Sequence, residues 1–273
     1  MKIAVIIPCF KVTDHIEEVI QRIGDNIAHI YCVDDGCPDN SGKFILDNCK
    51  DGRLTVLFNK KNSGVGGAVK VGYAAALSDG MDILVKVDGD GQMDPVRIDS
   101  LVAGIINDRA DYCKGNRFYN QSSFEGMPLI RIIGNAILSL LIKLSSGYWH
   151  IVDPTNGFTA IHAKVLKEVN FNKIDDGYFF ESSMLCSLGL LGAVVHDVPI
   201  KAVYGQEKSN ITIPAIALPF LIKNLTGFNR RIFIVHFLRG FSVASIELII
   251  GTILLLFGLI YGAVQFAVDY GTP

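Results

Sequence analysis

The sequence predicts an α/β fold: a largely parallel sheet covered by helices, followed by a C-terminal apolar helix. Three observations carry this. Short β-branched runs alternate with helical stretches through the first 115 residues, which is the pattern of a helix-covered parallel sheet. Acidic residues fall just past several of those runs, at Asp34, Asp35, Asp88 and Asp90, where open parallel sheets bind ligands. The 21 residues from Leu248 to Val268 carry no formal charge. At ~1.5 Å per residue they reach across a ~30 Å hydrocarbon layer.

The elements follow in order. Residues 2–8 (KIAVIIP) read as a first strand, and the apolar run Ile3 to Ile7 is too short for a signal sequence. Thr13 to Ile23 reads as a helix with Thr13 or Asp14 near its cap. Ile30 to Val33 is a second strand, Ser41 to Asn48 a helix and Leu54 to Leu57 a third strand. Gly66 to Leu77 is a small-residue helix, and Ile83 to Val87 the strand that delivers Asp88. Asp94 before Pro95 marks a helix start. Beyond residue 115 the pattern changes to a long apolar-rich helix, Pro128 to Ser146. Two amphipathic stretches follow, Pro214 to Leu225 and Arg230 to Phe241. Aromatic and basic residues interleave there, as suits helices at a membrane interface or packed on the domain's own core.

Charge is uneven. The chain of 273 residues has a net charge of −2. Residues 201–240 hold six basic side chains and one acidic one. A basic block just before an apolar span marks the cytoplasmic side and suits anionic headgroups; read alone it is also an ordinary solvated face. The six cysteines form no CxxC pair and are expected reduced and structural. His150, His162 and His196 have no evident catalytic partner and read as structural.

The stretch 85–95 (VKVDGDGQMDP) is the most informative. Two carboxylates one residue apart repel each other. A hard divalent cation removes that repulsion and takes carboxylates and substrate phosphates as ligands. By itself the stretch also reads as an Asp/Gly turn with solvated carboxylates.

The chain resembles family-2 glycosyltransferases of the GT-A fold, in the polyprenyl-phosphate sugar transferase branch. That branch includes dolichyl-phosphate mannose synthases and undecaprenyl-phosphate glucosyltransferases. The resemblance rests on IIPCF (6–10), VDDGCPD (33–39), NSGVGGAVKVGY (62–73), VDGDGQMDP (87–95), GNRF (115–118), DPTNGF (153–158) and GYFFESSML (177–185). It implies a GT-A domain over 1–210, basic interface helices over 211–240, a transmembrane helix over 241–268 and a short tail, 269–273. It implies that Pro8, Asp34, Asp35, Gly64, Gly66, Gly67 and Asp88 meet the nucleotide sugar. Asp88, Asp90 and Gln92 would hold Mg²⁺ or Mn²⁺. Arg117, Arg131 and Asn135 would grip an acceptor phosphate, and Asp153 and Glu181 would line the sugar side. Asp90, Arg117, Arg131, Asp153 and Glu181 form the implied catalytic set.

The implied reaction is transfer of one hexose, with inversion, from UDP-glucose or GDP-mannose to a polyprenyl phosphate at the cytoplasmic membrane face. The expected partners are the nucleotide sugar, the lipid acceptor and the membrane, with no nucleic acid; a homo-oligomer is compatible. Three features depart from the pattern. The first motif lacks an acidic residue, residues 201–210 lack an arginine for which Lys201, Tyr204 or Lys208 would substitute, and the chain stops five residues after its span, by nature or by truncation. Two other functions fit the motifs: a family-2 transferase acting on a saccharide hydroxyl, and a non-catalytic nucleotide-sugar-binding membrane subunit.

Overall fold

Seven strands form one sheet in the order β3-β2-β1-β4-β6-β5-β7. The computed structural model describes residues 1–119, 129–200 and 213–270. The strands are β1 (Ile3–Cys9), β2 (His29–Asp34), β3 (Leu54–Phe58), β4 (Ile83–Lys86), β5 (Tyr112–Asn116), β6 (Thr159–His162) and β7 (Val195–Pro199). β6 runs antiparallel between β4 and β5, and every other pairing is parallel. The C-terminal ends of six strands therefore share one edge, which is where β2 delivers Asp34, β4 delivers Asp88 and β5 delivers Arg117.

The helices cover both faces. They are α1 (Ile16–Gln21), α2 (Ser41–Asn48), α3 (Val65–Ser78), α4 (Ile98–Ile106), α5 (Leu129–Ser146), α6 (Ala163–Glu168), α7 (Phe180–Leu191), α8 (Ile213–Phe233) and α9 (Val243–Tyr270). Strand alternation divides the core. Val5, Ile7, Cys32 and Val85 pack on one face with α1 and α4, and Ala4, Ile6, Tyr31 and Leu84 on the other with α3 and α7. A strand covered on both faces reads as an unbroken apolar run, which is why β1 and β4 are visible in the sequence.

Several boundaries differ from expectation. α1 begins at Ile16 and not at Thr13. His15 and Ile16 both donate their amides to the Val12 carbonyl, so the chain turns once before the helix starts. Asp94 caps a short 3₁₀ turn, Pro95–Arg97, by accepting the Val96 amide. The two amphipathic stretches expected near the C-terminus meet in one helix, α8, which ends in a π-helical turn, Ile234–Arg239. Residues 226–229 do not break it: Thr226 donates back to the Ile222 carbonyl at 2.9 Å.

Packing divides the chain into Met1–Gly227 and Phe228–Pro273, later than the boundary expected at 210. The reason is α8. Phe220 meets Phe179 edge-on at 5.0 Å, Lys223 pairs with Asp175, and buried Asn224 accepts the Ser145 hydroxyl at 2.9 Å. α9 spans Val243–Tyr270, close to the 241–268 expected, and takes in Glu247 ahead of the uncharged run from Leu248. Its segment Val243–Asp269 is long and apolar enough to cross a membrane, with a mean hydropathy of 2.5 over its most apolar 18 residues. The successive side chains Ile253, Leu254, Leu255 and Leu256 are all exposed, unlike those of a helix buried in its own domain. Residues 271–273 of the expected tail lie outside the described residues.

α7 crosses α5 at Gly189, where a Cβ would strike the Ser146 carbonyl. Gly189→Ala is expected to lower stability by about 1–3 kcal/mol through overpacking. Urea denaturation in detergent, followed by circular dichroism, measures this; an unchanged midpoint would mean that the helices separate at no cost.

Candidate active site

The edge formed by the parallel strand ends gathers most of the residues singled out in the sequence. Pro8 sits half-buried at the end of β1, paired with Val33. Asp34 and Asp35 follow one another but do different work. The Asp34 carboxylate turns back to cap the loop into α2, accepting the amides of Cys37 at 2.8 Å and Gly42 at 2.6 Å. It is buried and serves the fold. Asp35 reaches the other way. It accepts the amides of Ser63 and Gly64, the Ser63 hydroxyl at 2.6 Å and the Asn59 amide group at 2.7 Å. It thereby clamps the loop that opens α3.

The glycine run of that loop has a reason the sequence did not show. Gly64 has φ +88°, and a Cβ there would also meet the Asp176 carbonyl at 2.5 Å. A Cβ on Gly66 would run into the Asp175 carbonyl and Phe180, and one on Gly67 into Ser63. The close neighbour of the run is thus the 175–177 segment of the same chain. The Gly67 amide donates to the Asp176 carbonyl at 3.0 Å.

Asp88 and Asp90 stand just past β4. Asp90 accepts the Gln92 amide at 3.0 Å, and Gly91, at φ +76°, makes the turn. Among the described residues no three His, Cys, Asp or Glu side chains converge as a metal cage. Asp88, Asp90 and Gln92, which the resemblance assigns to a divalent cation, offer two carboxylates and an amide oxygen. That set fits a hard cation whose other ligands come from phosphate oxygens and water.

Two lysines that sequence reasoning passed over end at this edge. Lys86, 1% exposed, places its ammonium 2.5 Å from Asp88 and 3.1 Å from Glu181. Burial works against its charge, and the carboxylates of Asp88 and Glu181 outweigh that, holding its pKa above the ordinary lysine value. Lys114 on β5 is fully buried and donates to the Asn156 carbonyl. Burial pushes its pKa down to about 8, against the pull of Glu181 and Asp153. The available signal was a lysine inside an otherwise apolar strand, as in ILVK and YCKGN.

Arg117 follows β5 and is gripped by Asp153. Its Nε lies 2.7 Å from one carboxylate oxygen and its Nη2 3.0 Å from the other, while its backbone amide also donates to Asp153. Asp153 is wholly buried. Both of its oxygens hold the arginine. Arg131 and Asn135 lie one turn apart on α5, with Asn135 half-buried; the Arg131 side chain is outside the described residues, as are Lys201, Tyr204 and Lys208. His150 bonds the Val195 carbonyl and His162 caps α6.

The sequence profile of glycosyl transferase family 2 matches residues 4–169, and the chain belongs to that family. Among its relatives, the UDP-N-acetylglucosamine–dolichyl-phosphate N-acetylglucosaminyltransferase of Methanococcus voltae is 31% identical over 218 residues. That match covers 75% of this chain and 86% of the relative. The undecaprenyl-phosphate mannosyltransferase of Micrococcus luteus is 27% identical, covering 73% and 83%. These relatives place the chain in the polyprenyl-phosphate sugar transferase branch. The GT-A fold is shared with glucosyl-3-phosphoglycerate synthase from Mycobacterium tuberculosis, solved with Mg²⁺ and UDP. The TM-score is 0.64 at 18% identity, over 84% of this chain and 79% of that one.

The pH dependence of Lys114 follows from its depressed value. Below pH 8 both folded and unfolded chains hold its proton. Between about 8 and the free lysine value of about 10.4, the unfolded chain holds more, so stability from this group rises with pH. The stability of wild type minus that of Lys114→Met is expected to increase from pH 8 to pH 10 and to be flat below pH 7. Denaturation at each pH measures it, and a flat difference throughout would show that burial does not strain the ammonium.

Proposed function

We propose that this chain transfers a single hexose from a nucleoside diphosphate sugar to a polyprenyl phosphate, with inversion. The observation that carries the reading is that, among the described residues, the two carboxylates assigned to the sugar side, Asp153 and Glu181, are already paired with cations. Asp153 is spent on Arg117, and Glu181 on Lys86. A sugar hydroxyl acceptor needs a general base. A phosphate monoester, with a second pKa of about 6, is already largely a dianion at neutral pH. It needs a cation to position it; the candidates are Arg117, whose guanidinium Asp153 fixes in place through Nε and Nη2, and Arg131 on α5. The two named relatives support the acceptor class, since one acts on a dolichyl and the other on an undecaprenyl phosphate.

The acceptor phosphate oxygen attacks the anomeric carbon. The bond from that carbon to the donor's diphosphate breaks, and its electron pair leaves with the nucleotide. Asp88, Asp90 and Gln92 would hold Mg²⁺ or Mn²⁺, which supplies charge neutralisation to the departing diphosphate. Asp35 and its clamped loop would form the nucleotide floor beside Pro8. Arg131 and Asn135 on α5 would extend the acceptor side. The basic block at 201–240 ahead of α9 supports a catalytic domain on the cytoplasmic face. The two relatives differ in sugar, so the acceptor is supported more strongly than the donor; UDP-glucose remains first and GDP-mannose second.

Membranes containing the chain are expected to convert a labelled nucleotide sugar into a lipid-soluble, acid-labile product when undecaprenyl or dolichyl phosphate is supplied. The donor panel is UDP-glucose, GDP-mannose and UDP-N-acetylglucosamine. Chelation of divalent cations and Asp90→Ala should abolish the product, and Arg117→Ala should lower its rate by about 10²-fold. Turnover that appears only with a saccharide acceptor would overturn the reading.

A further inference from the structure

Lys86 is built into the edge with unusual care for a charged side chain. Its ammonium lies between Asp88 Oδ1 at 2.5 Å and Glu181 Oε1 at 3.1 Å, and it donates to the Gly157 carbonyl at 3.3 Å. The space exists because residue 157 has no side chain. A Cβ there would come within 2.5 Å of the ammonium and 2.6 Å of Asp88 Oδ2. Lys86 thus occupies one oxygen of the acid that opens the Asp88–Asp90 pair and draws Glu181, from α7, to the same point.

We propose that Lys86 is a fixed countercharge that keeps Asp88 and Asp90 from holding a divalent cation by themselves, with Glu181 anchoring the ammonium from its other side. The cation is then held only together with a nucleoside diphosphate. This rests on the proposed cation site at Asp88 and Asp90. That pair carries two negative charges, and the buried ammonium on Asp88 offsets part of them. It also repels any second cation nearby, because charges this close and this poorly solvated interact strongly. The diphosphate restores what Lys86 removes. A cation held on those terms is released with the product nucleotide and does not remain to block the next donor. Lys86 touches neither donor nor acceptor in this scheme; it is a positioning residue.

The test is Mn²⁺ binding, read by the electron paramagnetic resonance signal of free Mn²⁺, on the full chain in detergent micelles. Each protein is titrated alone and with UDP or GDP. Wild type is expected to bind Mn²⁺ weakly alone and at least about tenfold more tightly with one of the nucleotides. Lys86→Met should tighten nucleotide-free binding by about tenfold or more and shrink the nucleotide effect. Lys86→Arg, which keeps the charge, should stay near wild type. Glu181→Gln removes a carboxylate and leaves Lys86 on Asp88, so nucleotide-free binding should weaken further. A folded Lys86→Met protein, by circular dichroism, with an unchanged titration overturns the proposal. Where Lys86→Met does not fold, unchanged or tighter binding in Glu181→Gln overturns it. Wild type that takes no Mn²⁺ with either nucleotide removes the cation site itself, and the role of Lys86 with it.

Discussion

Two lysine ammonium groups end inside the protein at the carboxyl edge of the sheet, and their need for partners organises what surrounds them. An ion taken out of water costs several kcal/mol unless charges or hydrogen bonds replace the solvent, as a rough guide. Lys86 meets that demand with Asp88 and Glu181, which joins β4 to the start of α7. Lys114 meets it with the Asn156 carbonyl, and Asn156 in turn donates to Asp153, the residue that holds Arg117. Pairing therefore runs from the acids beyond β4 to the arginine beyond β5. Each strand end is tied to a segment far away in the chain, and the edge becomes one connected polar surface on an apolar sheet.

The other half of the edge uses a carboxylate in place of an ammonium. Asp35 collects four hydrogen-bond donors from residues 59–64. That loop is met by the 175–177 segment, which approaches closely because Gly64 and Gly66 have no side chains. The 175–177 segment leads directly into α7 and Glu181. The nucleotide floor expected around Asp35 and the pair between Lys86 and Glu181 are thus supported by the same short stretch. Disturbing it would move both.

The sheet was legible in the sequence because β1, β2 and β4 are buried on both faces and read as apolar runs. The helix α9 was legible from 21 uncharged residues in a row. Local signals also marked Asp94 as a cap. The details that failed depended on contacts between distant residues. The packing of α8 on its own domain rests on Phe220 against Phe179, Lys223 on Asp175 and Asn224 on Ser145, contacts that no local pattern encodes. Asp34 and Asp35 are chemically alike and adjacent; only the loop each one reaches separates a fold-holding carboxylate from one under the expected nucleotide site. The glycine run suggested close approach of something, and the chain itself is what approaches. Lys86 and Lys114 were visible as letters and silent as chemistry, because what encloses them, Gly157 and Glu181 for the first and Asn156 for the second, lies 42 or more residues away.

The chemistry and the C-terminal helix point to the same acceptor for independent reasons. At the edge, the acids that would deprotonate a hydroxyl are bound to cations, so the site suits a nucleophile that arrives already ionised. Away from the edge, α9 is long enough to hold the chain in a bilayer. An enzyme confined there shares a thin layer with any lipid acceptor, which raises the acceptor's effective concentration without a new contact. A soluble saccharide would gain nothing from that confinement. A polyprenyl phosphate meets both conditions, because its head is a phosphate anion and its tail requires the bilayer. The donor meets neither and diffuses in from water. In the proposed reaction, discrimination among donors would therefore depend on the loops around Asp35, Asp88 and Glu181, whereas the acceptor would be selected by its charge and by the phase in which it dissolves.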